Sequence, residues 1–158
     1  MRITLSLVLT IVFALALSLS LRVFVVEAVK INGESMLPTF EDGDKTFIFK
    51  LMKPKKGDVV FLHGDDDVKV VKRLVATEGD TIEYIGKDVV INGEKDSRYE
   101  DLERKHLPKY VAKKNEMYVL GDNINNSSDS RVTHYSTDDY IGKALIYIRG
   151  FKIKKLPD

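Results

Sequence analysis

Nineteen consecutive residues near the start of the chain, ITLSLVLTIVFALALSLSL at 3–21, carry no charge. As a helix rising 1.5 Å per residue, such a run spans about 28 Å, close to the ~30 Å hydrocarbon core of a bilayer. A segment of this kind is either a secretory signal that is cut away or an anchor that stays. A cleaved signal has a shorter apolar region, about 7–15 residues, followed by a small-residue cleavage site. The small residues of ALALSLS keep that alternative open, but the length favours a retained anchor. The chain then divides into a short N-terminus at 1–2, an anchor at 3–21 and one domain at 22–158. Arg2 on one side faces Arg22, Glu27 and Lys30 on the other, so the positive-inside rule alone leaves the orientation open.

After Lys30 the texture changes to short apolar runs separated by turn residues. TFIF at 46–49, DVVFL at 58–62, VKVVKRLV at 68–75, DVVI at 88–91, MYVL at 117–120 and ALIYI at 144–148 read as strands, rich in β-branched and aromatic residues. Asn92-Gly93 marks a tight hairpin, because both residues tolerate positive φ. No amphipathic helix alternates with these runs, which argues against a parallel α/β sheet. The expected fold class is therefore mainly β and antiparallel, behind one N-terminal transmembrane helix. Residues 96–114, DSRYEDLERKHLPKYVAKK, read as a charged excursion from the sheet, with helix and mobile loop both open.

Composition removes several kinds of chemistry. The 25 Lys+Arg nearly cancel the 24 Asp+Glu and form no stripe, so nucleic acid is not an expected partner. With no cysteine there is no disulfide, thiolate site or cysteine nucleophile. His63, His106 and His134 sit in polar stretches without ligand spacing, and neither metal nor cofactor is expected.

Three segments remain as candidates. In Ile31-Asn32-Gly33-Glu34-Ser35-Met36-Leu37-Pro38-Thr39, Ser35 precedes a proline-fixed turn about ten residues beyond the apolar run. A serine needs a group to take its proton, and a lysine serves if burial disfavours its ammonium form. Strand alternation in VKVVKRLV puts Lys72 with Val68, Val70 and Leu74 on one face, with Lys69 and Arg73 on the other. A lysine on an apolar face calls for a reason, although an edge lysine that blocks aggregation is the ordinary one. The third segment, GDNINNSSDSR at 121–131, gathers small hydrogen-bonding residues where a loop leaves a strand.

Together these segments resemble the type I signal peptidase family, in order and in spacing. GESMLPT is similar to its nucleophile box, KRLVATEGD to its general-base box, GDNINNSSDSR to its last box, and GDVVF at 57–61 to a weaker segment. The resemblance implies a serine endopeptidase that removes signal peptides after Ala-x-Ala, with Ser35 as nucleophile and Lys72 as base. It implies that Ser127 orients Lys72, and that Asp129, Arg131 and Arg73 form a charged cluster fixing the loop. The Ser35 N–H is the expected oxyanion donor. Gly33, where some members carry a hydroxyl, matches the compact single-anchor forms of Gram-positive bacteria. Met36 and Pro38 are expected to contact substrate. The implied partners are preprotein signal peptides, the lipid bilayer and the export machinery. The implied location is the cell membrane, N-terminus inside and catalytic domain outside. One departure stands out: the base box usually ends Gly-x-Pro-Gly-Asp, where this chain has Ala76-Thr77-Glu78-Gly79-Asp80.

Rival readings are weaker. A self-cleaving Ser–Lys repressor would need a DNA-binding domain for which there is no room. A secreted protein with a cleaved signal leaves Ser35's closeness to the apolar run unexplained. A silent, tethered module binding exported chains has to account for both catalytic side chains being present.

Overall fold

The computed structural model of the chain describes residues 2–103 and 107–156, with side chains in the N-terminal helix described at 5–20. Helix α1 (Arg2–Phe24) takes up the apolar run, and leucines, valines and Phe13 are exposed all round it. Side chains at 5–20 account for about 24 Å of helix. Among the described residues no helix is long and apolar enough to cross a membrane. The expected anchor extends to 3–4 and to 21, outside the described side chains, and His106 lies outside the described residues altogether.

Among the described residues twelve short strands follow: β1 (Val26–Lys30), β2 (Lys45–Phe49), β3 (Val59–His63), β4 (Lys69–Thr77), β5 (Thr81–Ile85), β6 (Asp88–Ile91), β7 (Glu94–Lys95), β8 (Tyr110–Val111), β9 (Met117–Leu120), β10 (Tyr140–Lys143), β11 (Ile146–Arg149) and β12 (Lys152–Lys155). They form an eight-stranded sheet in the order β12-β11-β2-β10-β3-β4-β9, with β1 also on β2, and a four-stranded sheet β7-β6-β5-β8. Every pairing is antiparallel, as the alternating runs require. The Asn92-Gly93 hairpin forms with both residues at positive φ, joining Ile91 to Glu94 across a two-residue loop.

The expected strands lie within a few residues of the observed ones, but half the ladder carried no apolar run. β12 reads Lys-Ile-Lys-Lys and is exposed throughout, an edge strand guarded by lysines. β1 reads Val-Glu-Ala-Val-Lys, mixing charged with apolar residues, and its Glu27, Val29 and Lys30 line the groove described below. Residues 96–114 are neither helical nor detached where described. Tyr99 and Leu102 are fully buried against Ile82, Val89 and Tyr118, and Tyr110–Val111 adds β8 to β5. Two apolar anchors outweigh the surrounding charge.

The turn at Ala76–Asp80 closes without the usual glycine and proline. The Asp80 carboxylate accepts from the Thr77 N–H at 2.9 Å, the Asp80 N–H donates to Thr77 O, and Gly79 takes φ +84°. The departure in sequence thus leaves the strand carrying Lys72 normally terminated.

Candidate active site

The turn after β1 is held from both ends. Gly33 sits at φ +89° and gives its N–H to Asp42 Oδ1 at 2.7 Å. Downstream, Met36 and Phe40 drop into a core with Ile31, Ile48 and Tyr147, and the Leu37–Pro38 peptide between them is cis. Met36 is 1% exposed and packs into that core, supporting the turn from beneath, while Pro38 is exposed.

Ser35 is left at the surface of this turn, its carbonyl accepting from the Asn123 N–H at 3.0 Å. Asn123 also donates through Nδ2 to Glu34 O at 3.1 Å, so the loop after β9 grips the Ser35 turn through two backbone carbonyls. Lys72, on β4 opposite Val60, is 5% exposed and places Nζ 2.9 Å from Ser35 Oγ. Burial pushes the Lys72 ammonium below its ordinary value. Asp129 opposes that shift through its charge, and Arg131 assists it. The two side chains named from sequence therefore meet at hydrogen-bond distance, with the amine biased toward its neutral, proton-accepting form.

The supporting residues are arranged differently from the expectation. Asp129 is fully buried and pairs with Arg131, at 2.7 Å to Nε and 2.9 Å to Nη2, and it accepts from the Gly121 N–H. Arg131 also donates to the carbonyls of Ile124 and Ser127, closing the loop on itself. Arg73 does not join this cluster. It grips Asp122 through Nε at 2.7 Å and Nη2 at 2.6 Å, and reaches Gly57 O and the Thr39 hydroxyl. Thr39 in turn donates to Asp122 at 2.5 Å. One buried ion pair thus ties together β4, the Ser35 turn and the loop after β9. Asp122, Thr39 and Asn123 fall inside the quoted boxes, but their role is visible only once strands 49 residues apart are brought together.

Ser127 makes no hydrogen bond to Lys72; its Oγ is buried without a partner among the described residues. It lies against Gly121, where a Cβ would press into the Ser127 side chain and come within 2.5 Å of the Ser35 carbonyl oxygen. Gly121→Ala is therefore expected to displace the Ser35 turn. A shift of about 1 Å at a reacting group costs on the order of 10²-fold in kcat, with a stability loss of roughly 1–3 kcal/mol from overpacking. Steady-state kinetics and thermal unfolding of the variant check both.

Ser35 and Lys72 open onto a groove of about 660 Å³ whose walls include Val29, Ile31, Phe61 and Val70. A hydroxyl, a buried amine and a groove with a partly apolar wall are parts that acyl transfer on an extended chain could use.

Comparison with known proteins agrees with this chemistry. The family described as "Signal peptidase, peptidase S26" matches residues 4–148. Signal peptidase I from Bacillus licheniformis is 34% identical over 138 residues, 77% of this chain and 74% of that protein. Signal peptidase I S from Bacillus subtilis is 35% identical over 139 residues, 77% of this chain and 74% of its relative. Signal peptidase I from Leptolyngbya laminosa is 32% identical over 160 residues, 87% of this chain and 74% of that protein.

Proposed function

Because this chain belongs to the signal peptidase family, peptidase S26, a family of serine proteases that remove signal peptides, we propose that Ser35 and Lys72 are its catalytic dyad and that it cuts exported preproteins after Ala-x-Ala. The observation that carries the dyad is the 2.9 Å approach of Lys72 Nζ to Ser35 Oγ at the mouth of an apolar groove. In the reactive state the neutral amine accepts the Ser35 proton while Oγ attacks the scissile carbonyl carbon. The protonated lysine then gives that proton to the leaving amine, which departs with the mature chain and leaves an acyl-enzyme. Lys72, neutral again, takes a proton from water as it attacks the ester, and returns it to Ser35 Oγ as the signal peptide is released.

The developing oxyanion faces the Ser35 N–H. The Gly33 N–H is already committed to Asp42 and does not serve as a second donor. Ser127, whose buried hydroxyl is otherwise unpartnered, is the group proposed to receive Lys72 once Ser35 is acylated. Asp129, Arg131, Arg73 and Asp122 act by holding the loop and strand in place.

Two free edges flank the groove. β1 pairs on one side only, with β2, and β9 covers β4 only from Arg73 onward, leaving 69–72 open on that side. An extended substrate adding to these edges would present alternate side chains to the apolar wall, where small residues fit. The anchor belongs to the same proposal, with the site beside the bilayer: the uncharged run at 3–21 and the leucines exposed around the helix support a segment held in an apolar surrounding. The catalytic domain then lies outside the cytoplasm, within reach of chains delivered by the export machinery.

The test is cleavage of a membrane-inserted preprotein, with the new N-terminus mapped by mass. Cutting immediately after Ala-x-Ala is expected, and Phe in place of the last alanine should lower kcat/KM by about 10²-fold. Cutting elsewhere, or indifference to the phenylalanine, contradicts the specificity. For the anchor, the full chain should stay with membranes through alkaline carbonate extraction, while a chain starting at Val25 should be released.

A further inference from the structure

The groove ends in charge on the side away from the dyad. Glu27 of β1 and Lys69 of β4 both line it, and no ladder joins these two strands. Their side chains nevertheless meet in an ion pair, so the contact runs from one wall to the other. The second oxygen of Glu27 binds Lys50 at 2.8 Å, and Lys30 lines the same cavity. Hydrogen bonds from Lys50 and Lys69 hold the Glu27 carboxyl below its usual range, so it stays ionised throughout the neutral region. Neither partner is deeply buried, with side chains 28% and 40% exposed, so the bridge is weak enough to be displaced.

We propose that Glu27 and Lys69 form an outer specificity site that reads the charge of the substrate residue about five positions before the cut, an inference that rests on the peptidase reading above. At about 3.3 Å per residue, Glu27 lies roughly 10 Å along β1 from Lys30 at the strand's end. Asn32, which lines the same groove as Ser35, follows two residues on, so about five residues of extended chain separate Glu27 from the Ser35 end of the groove. Glu27 is also near the end of α1, so a signal segment leaving the bilayer passes it before reaching Ser35. Any backbone filling the groove has to displace or cross the bridge. An acidic side chain can replace Glu27 on Lys69. A basic one can replace Lys69 on Glu27 but then meets the remaining lysines. Of the charged residues lining this stretch of the groove, Lys30 and Lys69 outnumber Glu27, which favours acid and disfavours base.

The experiment uses the full-length protein and three preproteins that differ only by Asp, Ser or Lys five residues before the junction. Wild type is expected to prefer Asp over Lys by about fivefold in kcat/KM, the range available to one half-exposed charge pair. Glu27→Gln should widen that preference to twentyfold or more, Lys69→Gln should erase most of it, and high salt should shrink it. Equal losses on all three substrates, or no change in their ratio, would mean that the bridge only staples the walls and would overturn the proposal. Binding of the corresponding peptides to Ser35→Ala gives a readout without turnover. A charge ranking in binding, with no cutting by wild type, overturns the dyad and leaves this inference standing. Equal binding of all three overturns the inference whatever the enzyme cuts.

Discussion

Lys72→Met is expected to lower kcat by about 10³–10⁴-fold, the share of an acyl-transfer barrier carried by a base that acts in both halves of the reaction, while making the folded protein more stable. The two effects have one cause. Lys72 is buried, and burial depresses its folded-state pKa below the ordinary 10.5. Between the folded value and 10.5 the unfolded chain binds more protons than the folded one, so stability rises with pH across that window. Below the folded value the full cost of burying an ammonium is present. Methionine keeps the stem and removes that cost. The variant's melting temperature should therefore exceed that of wild type at neutral pH, with the gap closing toward 10.5. Wild-type activity should fall with acid as Lys72 becomes protonated, and that limb should lie below the range of a solvent lysine. Thermal unfolding and single-turnover cleavage across the same pH series check both; a melting temperature lowered at all pH values would contradict the account.

Asp122→Ala carries the second large effect, on stability first. Arg73 and Asp122 have side chains 3% and 8% exposed, and the aspartate is bound twice by the guanidinium and once by Thr39. Removing the acid leaves a buried cation with only Gly57 O and the Thr39 hydroxyl, at a cost of about 3–5 kcal/mol. Activity should fall with it, because Thr39 follows Ser35 in the same turn and Arg73 adjoins Lys72. Denaturant unfolding measures the loss. Combining Asp122→Asn with Arg73→Met should recover part of it, since no buried charge then lacks a partner. A loss below about 1 kcal/mol for the alanine variant would mean that Arg73 finds water, and that the ion pair does not hold the site.

How far these features could be read beforehand depended on how local they are. Ser35 and Lys72 were legible because each sits in a short, distinctive run, and because period-two alternation alone puts Lys72 among valines. The packing of Met36 beneath the turn was not legible, because its neighbourhood to Ser35 in sequence says nothing of the long-range partners Ile48 and Tyr147 that draw it into the core. Arg73 was assigned to Asp129 because both lie in the quoted boxes. Sequence cannot say which of two aspartates seven residues apart a strand will meet, and the β4–β9 register brings Asp122 to it, just past the Arg73–Leu120 pair. β12 and β1 were missed for a related reason. Edge and groove-facing strands carry lysine and glutamate where a buried strand carries valine, so they lack the apolar signal.

The most direct test of the central claim is a double-mutant cycle on the dyad. Cleavage of the Ala-x-Ala preprotein would be measured for wild type, Ser35→Ala, Lys72→Met and the double variant at matched folded concentrations. If the 2.9 Å pair works as one unit, each single variant loses nearly all activity and the double variant is no worse than either. If the two losses multiply, or if either single variant keeps activity near that of wild type, Ser35 and Lys72 do not act together and another pair of groups cuts the chain.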